Sequence, residues 1–397
     1  MEELKTYRLA DICNSIQTGP FGSQLHKSDY VEFGTPIVMP KDITNGKIND
    51  NNISRISKND VARLFKHKLV PGNIIYPRRG DISKCALITS KEDGWVCGTG
   101  CIKVDINQQI ANSTYVMYVL CQSETVNWIE SNAVGTTMLN LNTSILSDLP
   151  IKLPSLNTQK KLANIVSSFD KKIALNRRIN DNLEQQAQTL FDYYFSADSK
   201  YLSDSERGVL TNIAVYLNGL AMQKFPPTDS EHSLPVLKIK ELGQGKCDNN
   251  SDRCSNDIDS NYVIDNGNII FSWSGTLMVD VWCGGKCGLN QHLFKVTPLQ
   301  DHPQWFIYYW TIRHLNTFKL IAKDKAVTMG HIKRVDLEKA EVIIPNKYSL
   351  VEMNAQIEPL YQSIINNRLQ IAELETLRDA LLPKLMSGEL KINNLNC

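Results

Sequence analysis

The stretch LANIVSSFDKKIALNRRINDNLEQQAQTLFDYY, residues 162–194, decides the fold. Leu162, Val166, Phe169, Ile173, Asn176, Asn180, Leu183, Ala187, Leu190 and Tyr194 step through it by alternating fours and threes without a slip. That spacing is a heptad seam, and it predicts a long helix that buries one stripe against another helix. The same seam recurs at an offset of 191 as Met353, Ile357, Leu360, Ile364, Asn367, Ile371, Leu374, Arg378, Leu381 and Leu385. The offset is constant, as expected for a rigid element without insertions.

Working outward, the repeat extends through both halves. Leu9-Ala10-Asp11-Ile12 parallels Leu210-Thr211-Asn212-Ile213, and Gly72-Asn73-Ile74-Ile75 recurs as Gly267-Asn268-Ile269-Ile270. Cys97-Gly98 is matched with Cys287-Gly288, and Thr137-Met138 with Thr328-Met329. A period this long duplicates a whole module and is no solenoid unit. Each half opens with short β-branched runs broken by Gly, Pro, Asn and Asp, such as 34–38, 73–76, 268–273 and 292–296, which predict strands. Helical patches sit among them at 113–121 and 304–315.

The expected fold class is therefore α+β. Two mixed α/β domains are separated by two long antiparallel helices forming a coiled coil, with a pseudo-two-fold internal repeat. The expected segments are 1–154, 155–200, 201–347 and 348–397. Ser168 aligns with Pro359, and both suit a helix start, so a break is expected there: a short helix, then a long one of about 28 residues and roughly 40 Å. Pro383 is expected to distort or end the second helix. The helix-pairing residues are Phe169, Ile173, Asn176, Leu183 and Leu190 on one helix, and Ile364, Asn367, Ile371, Leu374 and Leu381 on the other. Asn176 and Asn367 hold the same seam position and are expected either to face each other or to meet only water and backbone.

Composition excludes several classes. The chain has 397 residues, 42% hydrophobic and 21% charged, with a formal net charge of +1. That is a globular mix, and it is less basic than a protein gripping many phosphates unaided. Residues 1–10 carry Glu2, Glu3, Lys5 and Arg8 with no apolar run, so no signal peptide is expected and the location is cytoplasmic. No run reaches about 18 apolar residues, so no membrane span is expected. The ten cysteines read as reduced thiols, and the wide spacing of Cys97/Cys101 and Cys283/Cys287 argues against zinc. No metal and no cofactor are expected.

Catalytic signatures are missing. Gly284-Gly285-Lys286-Cys287 is no phosphate-binding loop, no Asn-Pro-Pro-Tyr or Asp-Pro-Pro-Tyr tetrapeptide occurs, and the seven histidines show no ligand spacing. No catalytic residue is expected, and a duplicated binding protein is favoured over an enzyme.

At the helices the pattern becomes specific. The run 153–162 (LPSLNTQKKL), the core 171–180, the end 191–195 (FDYYF) and the closing segment 381–390 (LLPKLMSGEL) resemble the conserved regions of type I restriction–modification specificity subunits. The Gly135–Leu149 stretch and Gly288–Leu293 resemble parts of that family's target-recognition domains. Pro383 departs from it. The resemblance implies that each half is a target-recognition domain reading half of a bipartite, asymmetric site in double-stranded DNA. It implies that the helices act as a ruler and that two methyltransferase (modification) subunits dock on them. A nuclease–translocase (restriction) subunit is a further possible partner. S-adenosylmethionine is then held by the partner and not by this chain. A methylation-only system and a coiled-coil scaffold that binds no DNA are the alternatives.

Candidate DNA contacts lie in polar, glycine-containing loops, because Arg, Lys, Asn, Gln and hydroxyl side chains supply the donors and acceptors that distinguish bases. In the first half they are Gln17, Thr18, Gly19, Phe21, Ser23, Gln24, Lys41, Arg78, Arg79, Thr136, Thr137 and Asn140. In the second they are Lys238, Lys240, Ser274, Thr276, Lys325, Thr328 and Lys333. Trp273 reads equally as core or contact.

Overall fold

The computed structural model describes residues 4–44, 46–135, 139–229, 232–299, 302–324 and 330–390. It divides into two compact units: Met1–Lys171 with Leu377–Cys397, and Lys172–Thr376. The units cut across the four segments read from the sequence, because each long helix lies partly in one unit and partly in the other.

Unit 1 is built on an antiparallel sheet of β1 (Cys13–Thr18), β2 (Asn73–Pro77), β3 (Ala86–Leu87) and β4 (Cys101–Ile106), in the order β1-β4-β2-β3. Every residue of β2 is buried. Ile74 and Tyr76 face one apolar cluster and Ile75 another, so both faces are covered and these three residues do not alternate with polar ones. A second sheet holds the parallel pair Thr35–Val38 and Val96–Cys97. Ser113–Leu120 forms a helix over the first sheet, contributing Tyr115, Val116 and Leu120 to its core.

Unit 2 repeats this plan. Its sheet is β5 (Ala214–Asn218), β6 (Ile269–Ser272), β7 (Met278–Val281) and β8 (Leu293–Pro298), in the order β5-β8-β6-β7. Ile269 and Phe271 again face one cluster and Ile270 another. A parallel pair, Ser233–Leu237 with Cys287–Leu289, recurs in the second sheet. Registers fix the equivalences: Gln17 opposite Lys103 becomes Leu217 opposite Lys295, and Val38 opposite Cys97 becomes Leu237 opposite Leu289. The match of Cys97-Gly98 with Cys287-Gly288 is therefore out by two residues; strand register places Leu289-Asn290 there. Likeness of residue type misled, since the strand needs only a small or apolar side chain at that point.

The long helices are α1 (Leu156–Tyr194) and α2 (Lys347–Met386). The expected breaks at Ser168 and Pro359 do not occur. The Ser168 hydroxyl donates to the Ile165 carbonyl, 2.6 Å away, and so turns back into its own helix. Around Pro359, Met353, Ile357, Tyr361, Ile364 and Ile365 are all buried. Burying such side chains contributes about 1.5–3 kcal/mol each, which outweighs the roughly 3 kcal/mol cost of an interior proline. Pro383 also lies inside α2, less than one turn before its end.

In unit 1, Leu162, Ala163 and Val166 of α1 share a core with Leu385 and Met386 of α2, and Leu381 packs against it. Phe169 is half-buried. In unit 2, Ile173, Asn176 and Ile364 are buried, and Leu183, Leu190, Asn367, Ile371 and Leu374 are half-buried. Asn176 donates to Gln370 Oε1 at 2.7 Å, while Asn180 donates to the Ile364 carbonyl at 3.1 Å. Partner numbers fall as α1 numbers rise, so the helices run antiparallel. Asn176 and Asn367 do not face each other: Asn367 donates instead to Asn180 Oδ1, 2.9 Å away. The crossing is offset by about one turn from the seam equivalence, and the Asn176 and Asn367 amides each meet a side chain on the opposite helix.

Candidate nucleic-acid interface

The candidate contacts of unit 1 gather where β1 and β2 end. Gly19 ends β1 by donating its N–H to the Cys101 carbonyl at 2.8 Å. It is buried, and a Cβ there would lie 2.0 Å from the Gly98 carbonyl oxygen. This close backbone approach leaves no room for a side chain there. Phe21 is 55% exposed at the following turn. Gln24 holds that turn, since its Oε1 accepts the Phe21 N–H at 3.2 Å. Ser23 is exposed, and Gln17 and Thr18 are half-buried on β1.

Arg78 follows β2 directly. Its N–H donates to the Gly100 carbonyl at 2.6 Å, and its carbonyl accepts from Leu141 N at 2.8 Å. Its guanidinium lies 5.9 Å from the Phe21 ring centroid, within cation–π range. Arg78 Nε, Thr99 Oγ1 and Asn140 Oδ1 are buried atoms without a hydrogen-bond partner among the described residues. Buried polar atoms are normally paired, so this corner holds unused hydrogen-bonding capacity. Arg79 forms a β-bridge with Asn140. Arg79 and Lys41 are exposed and make no ion pair among the described residues. Asp42, beside Lys41, is raised above the ordinary carboxylate value by burial, against the Met39 N–H and the Lys41 charge.

Unit 2 repeats the corner with different side chains. The bridge Arg79–Asn140 recurs as Ser274–His331. Gly219 stands for Gly19, with a Cβ position 2.2 Å from the Asn290 carbonyl oxygen. Trp273 replaces Arg78, and its indole N–H donates to Asn218 Oδ1 at 2.9 Å. Asn218, Trp273, Phe294, His331, Lys333 and Arg334 line an open pocket of about 330 Å³, together with Ile332. Lys333 and Thr276 are exposed. Three expected contacts are otherwise engaged. Ser274 is 4% exposed with its hydroxyl 3.1 Å from His292 Nδ1, Lys238 is ion-paired with Asp252, and Lys240 lies 3.8 Å from Glu241. Ser274 is therefore an interior residue. Thr136, Thr137, Lys325 and Thr328 lie outside the described residues.

The sequence reading missed Asn218, Phe294, His331 and Arg334. Extending the repeat through Thr18-Gly19 and Asn218-Gly219 would have found the first. His331 stands at the constant offset of 191 from Asn140, so it was within reach too.

Among the described residues no group of His, Cys, Asp and Glu is arranged to hold a metal, and no helix is long and apolar enough to cross a membrane. Among the described residues five cysteines are buried and four half-buried. Burial pushes the Cys13 and Cys97 thiols up to about 12 and Cys283 to about 11, which keeps them protonated and unreactive.

The geometry defines a duplicated two-unit protein with equivalent corners, basic in one unit and aromatic in the other. The chain belongs to the type I restriction modification DNA specificity domain family, whose model matches residues 1–185 and again 204–376. It is 25% identical over 393 residues to the type I restriction enzyme MjaIX specificity subunit of Methanocaldococcus jannaschii, covering 91% of this chain and 88% of that one. It is 21% identical to the type I restriction enzyme HindI specificity subunit of Haemophilus influenzae, covering 98% of this chain and all of that one. Its fold is similar to the crystal structure of a type I restriction-modification system S subunit from M. genitalium, with a TM-score of 0.63 at 15% identity, covering 97% and 96% of the two chains.

Proposed function

We propose that this chain is the non-catalytic, sequence-reading subunit of a type I complex working in the cytoplasm. Each unit reads one half of a bipartite, asymmetric site in double-stranded DNA. Two methyltransferase subunits dock along the helices, bind S-adenosylmethionine and methylate adenine; a nuclease–translocase subunit joins where restriction accompanies methylation. The observation that carries this reading is the recurrence of one backbone corner in both units, with exposed Arg79 and Lys41 in the first and Lys333 in the second. Two such corners on one chain act as a bidentate binder, so two weak half-site contacts combine into one strong site. The near-neutral charge fits a reader whose partners supply much of the phosphate contact.

The test is co-expression with the candidate methyltransferase. Native mass spectrometry should find two methyltransferase chains per copy of this chain. The assembly should bind duplex DNA with an affinity that falls steeply with salt, and the chain alone should bind no S-adenosylmethionine. A chain that binds the cofactor by itself, or an assembly without DNA affinity, would contradict the proposal.

A further inference from the structure

Arg78 and Trp273 occupy the same backbone position. Arg78 N donates to the Gly100 carbonyl at 2.6 Å and Trp273 N to the His292 carbonyl at 3.4 Å. Leu141 N donates to the Arg78 carbonyl at 2.8 Å and Ile332 N to the Trp273 carbonyl at 3.1 Å. Each residue directly follows the equivalent strand, β2 or β6, and precedes the equivalent bridge residue, Arg79 or Ser274. The backbone is conserved between the units while the side-chain chemistry is opposite.

At Arg78 the guanidinium is set over the Phe21 ring, and no ion pair engages it among the described residues. Its Nε is buried and unpartnered. A planar fork of donors held this way matches two acceptors side by side, which guanine presents as O6 and N7. Arg79 and Lys41, exposed nearby, are better placed for the non-specific phosphate contacts, which do not need a pre-set fork.

At Trp273 the only donor of the side chain is already committed to Asn218 Oδ1. The indole therefore offers an apolar face, 5.7 Å from the Phe294 ring centroid, at an open pocket that Lys333 and Arg334 also line, Arg334 lying 3.8 Å from Glu338. The one apolar group on a base edge in the major groove is the 5-methyl of thymine. The exposed Lys333 next to this apolar surface suits a base edge flanked by phosphates.

We propose that Arg78 and Trp273 are the equivalent specificity-determining positions of the two units: Arg78 reads a guanine in one half-site, and Trp273 with Phe294 reads a thymine in the other. This assignment rests on the DNA-reading function proposed above.

The test uses this chain assembled with its methyltransferase subunits. Modified-base sequencing first gives the wild-type motif; duplexes carrying that motif then serve as binding probes. Arg78→Lys keeps the charge and removes the fork. It should lose roughly 10- to 100-fold of discrimination at one guanine and leave the other half-site unchanged. Trp273→Phe and Trp273→Ala should relax one thymine in the other half-site. Replacing that thymine by uracil removes only the methyl group. It should weaken wild type about fourfold and leave Trp273→Ala indifferent.

Unrelaxed specificity in Arg78→Lys and Trp273→Phe overturns the assignment, as does relaxation of both within one half-site. Uracil without effect on wild type overturns it for Trp273. If wild type yields a gapped motif without these sensitivities, only the assignment falls. If wild type yields no gapped motif, the DNA-reading function falls with it.

Discussion

Asn367 donates its side-chain amide to Asn180 Oδ1 across 2.9 Å, joining α2 to α1 inside unit 2. Asn180 is 5% exposed and passes its own amide on to the Ile364 carbonyl. Asn180→Ala strands the Asn367 amide and removes a second donor from the Ile364 carbonyl, which keeps the bond of its own helix. Urea unfolding should show a loss of about 1–3 kcal/mol. Asn180→Leu combined with Asn367→Leu should recover most of it, because an apolar pair needs no partner. A double variant as unstable as the single one would contradict the role given to this hydrogen bond.

Arg368 of α2 ties both α1 and the sheet of unit 2. It donates to Asp280 at 2.6 Å and to Glu184 at 2.8 Å. Burial works against its charge, but Asp280 and Glu184 hold it protonated. Arg368→Met leaves two facing carboxylates without their cation and should cost about 2 kcal/mol, less than a fully buried pair because the side chain is partly in solvent. Adding Asp280→Asn should restore part of the loss in the same unfolding measurement.

Gly19 and Gly219 should respond alike to alanine. The added carbon would sit 2.0 Å from Gly98 O in one case and 2.2 Å from Asn290 O in the other. Both clashes are with backbone, which cannot swing aside as a side chain can. Each variant should lose about 2 kcal/mol or more. Hydrogen exchange should localise the loss to the unit that carries the change, and protection falling equally in both units would count against it.

Stability should fall on mild acidification. Burial lowers His314 below its ordinary 6.5, outweighing the Glu341 carbonyl that it hydrogen-bonds, and burial with Lys103 lowers His67 likewise. In the window between the folded value and 6.5 the unfolded chain binds more protons, so this stability is complete above 6.5 and is lost as the pH falls through the window. The melting temperature should drop between about pH 7.5 and about pH 5. His314→Gln with His67→Gln should flatten that slope; an unchanged slope would exclude both as its source.

The duplication and the helix seam were legible in the sequence because both are periodic. An offset held across residues 137–196 needs no knowledge of contacts, and Leu162 to Tyr194 reads as a stripe from spacing alone. The helix breaks were misread because local propensity at Ser168 and Pro359 says nothing of the buried neighbours that carry a helix through. The facing of Asn176 and Asn367 failed because a seam gives each helix's buried stripe but not the axial offset of its partner. At the candidate site, spacing could not tell groups engaged within the chain from those without an ion pair among the described residues. Lys238, Ser274 and Gln24 look the same in sequence as Lys333 and Arg79, yet are engaged by Asp252, His292 and the Phe21 N–H. Trp273 became interpretable only once Asn218 was seen to take its donor.

The DNA-reading role is tested by modified-base sequencing of the host genome with this gene intact and with it deleted. One gapped, asymmetric adenine-methylation motif should disappear on deletion and return on complementation. Persistence of every methylation motif, in a host where the partner methyltransferase is expressed, would contradict it.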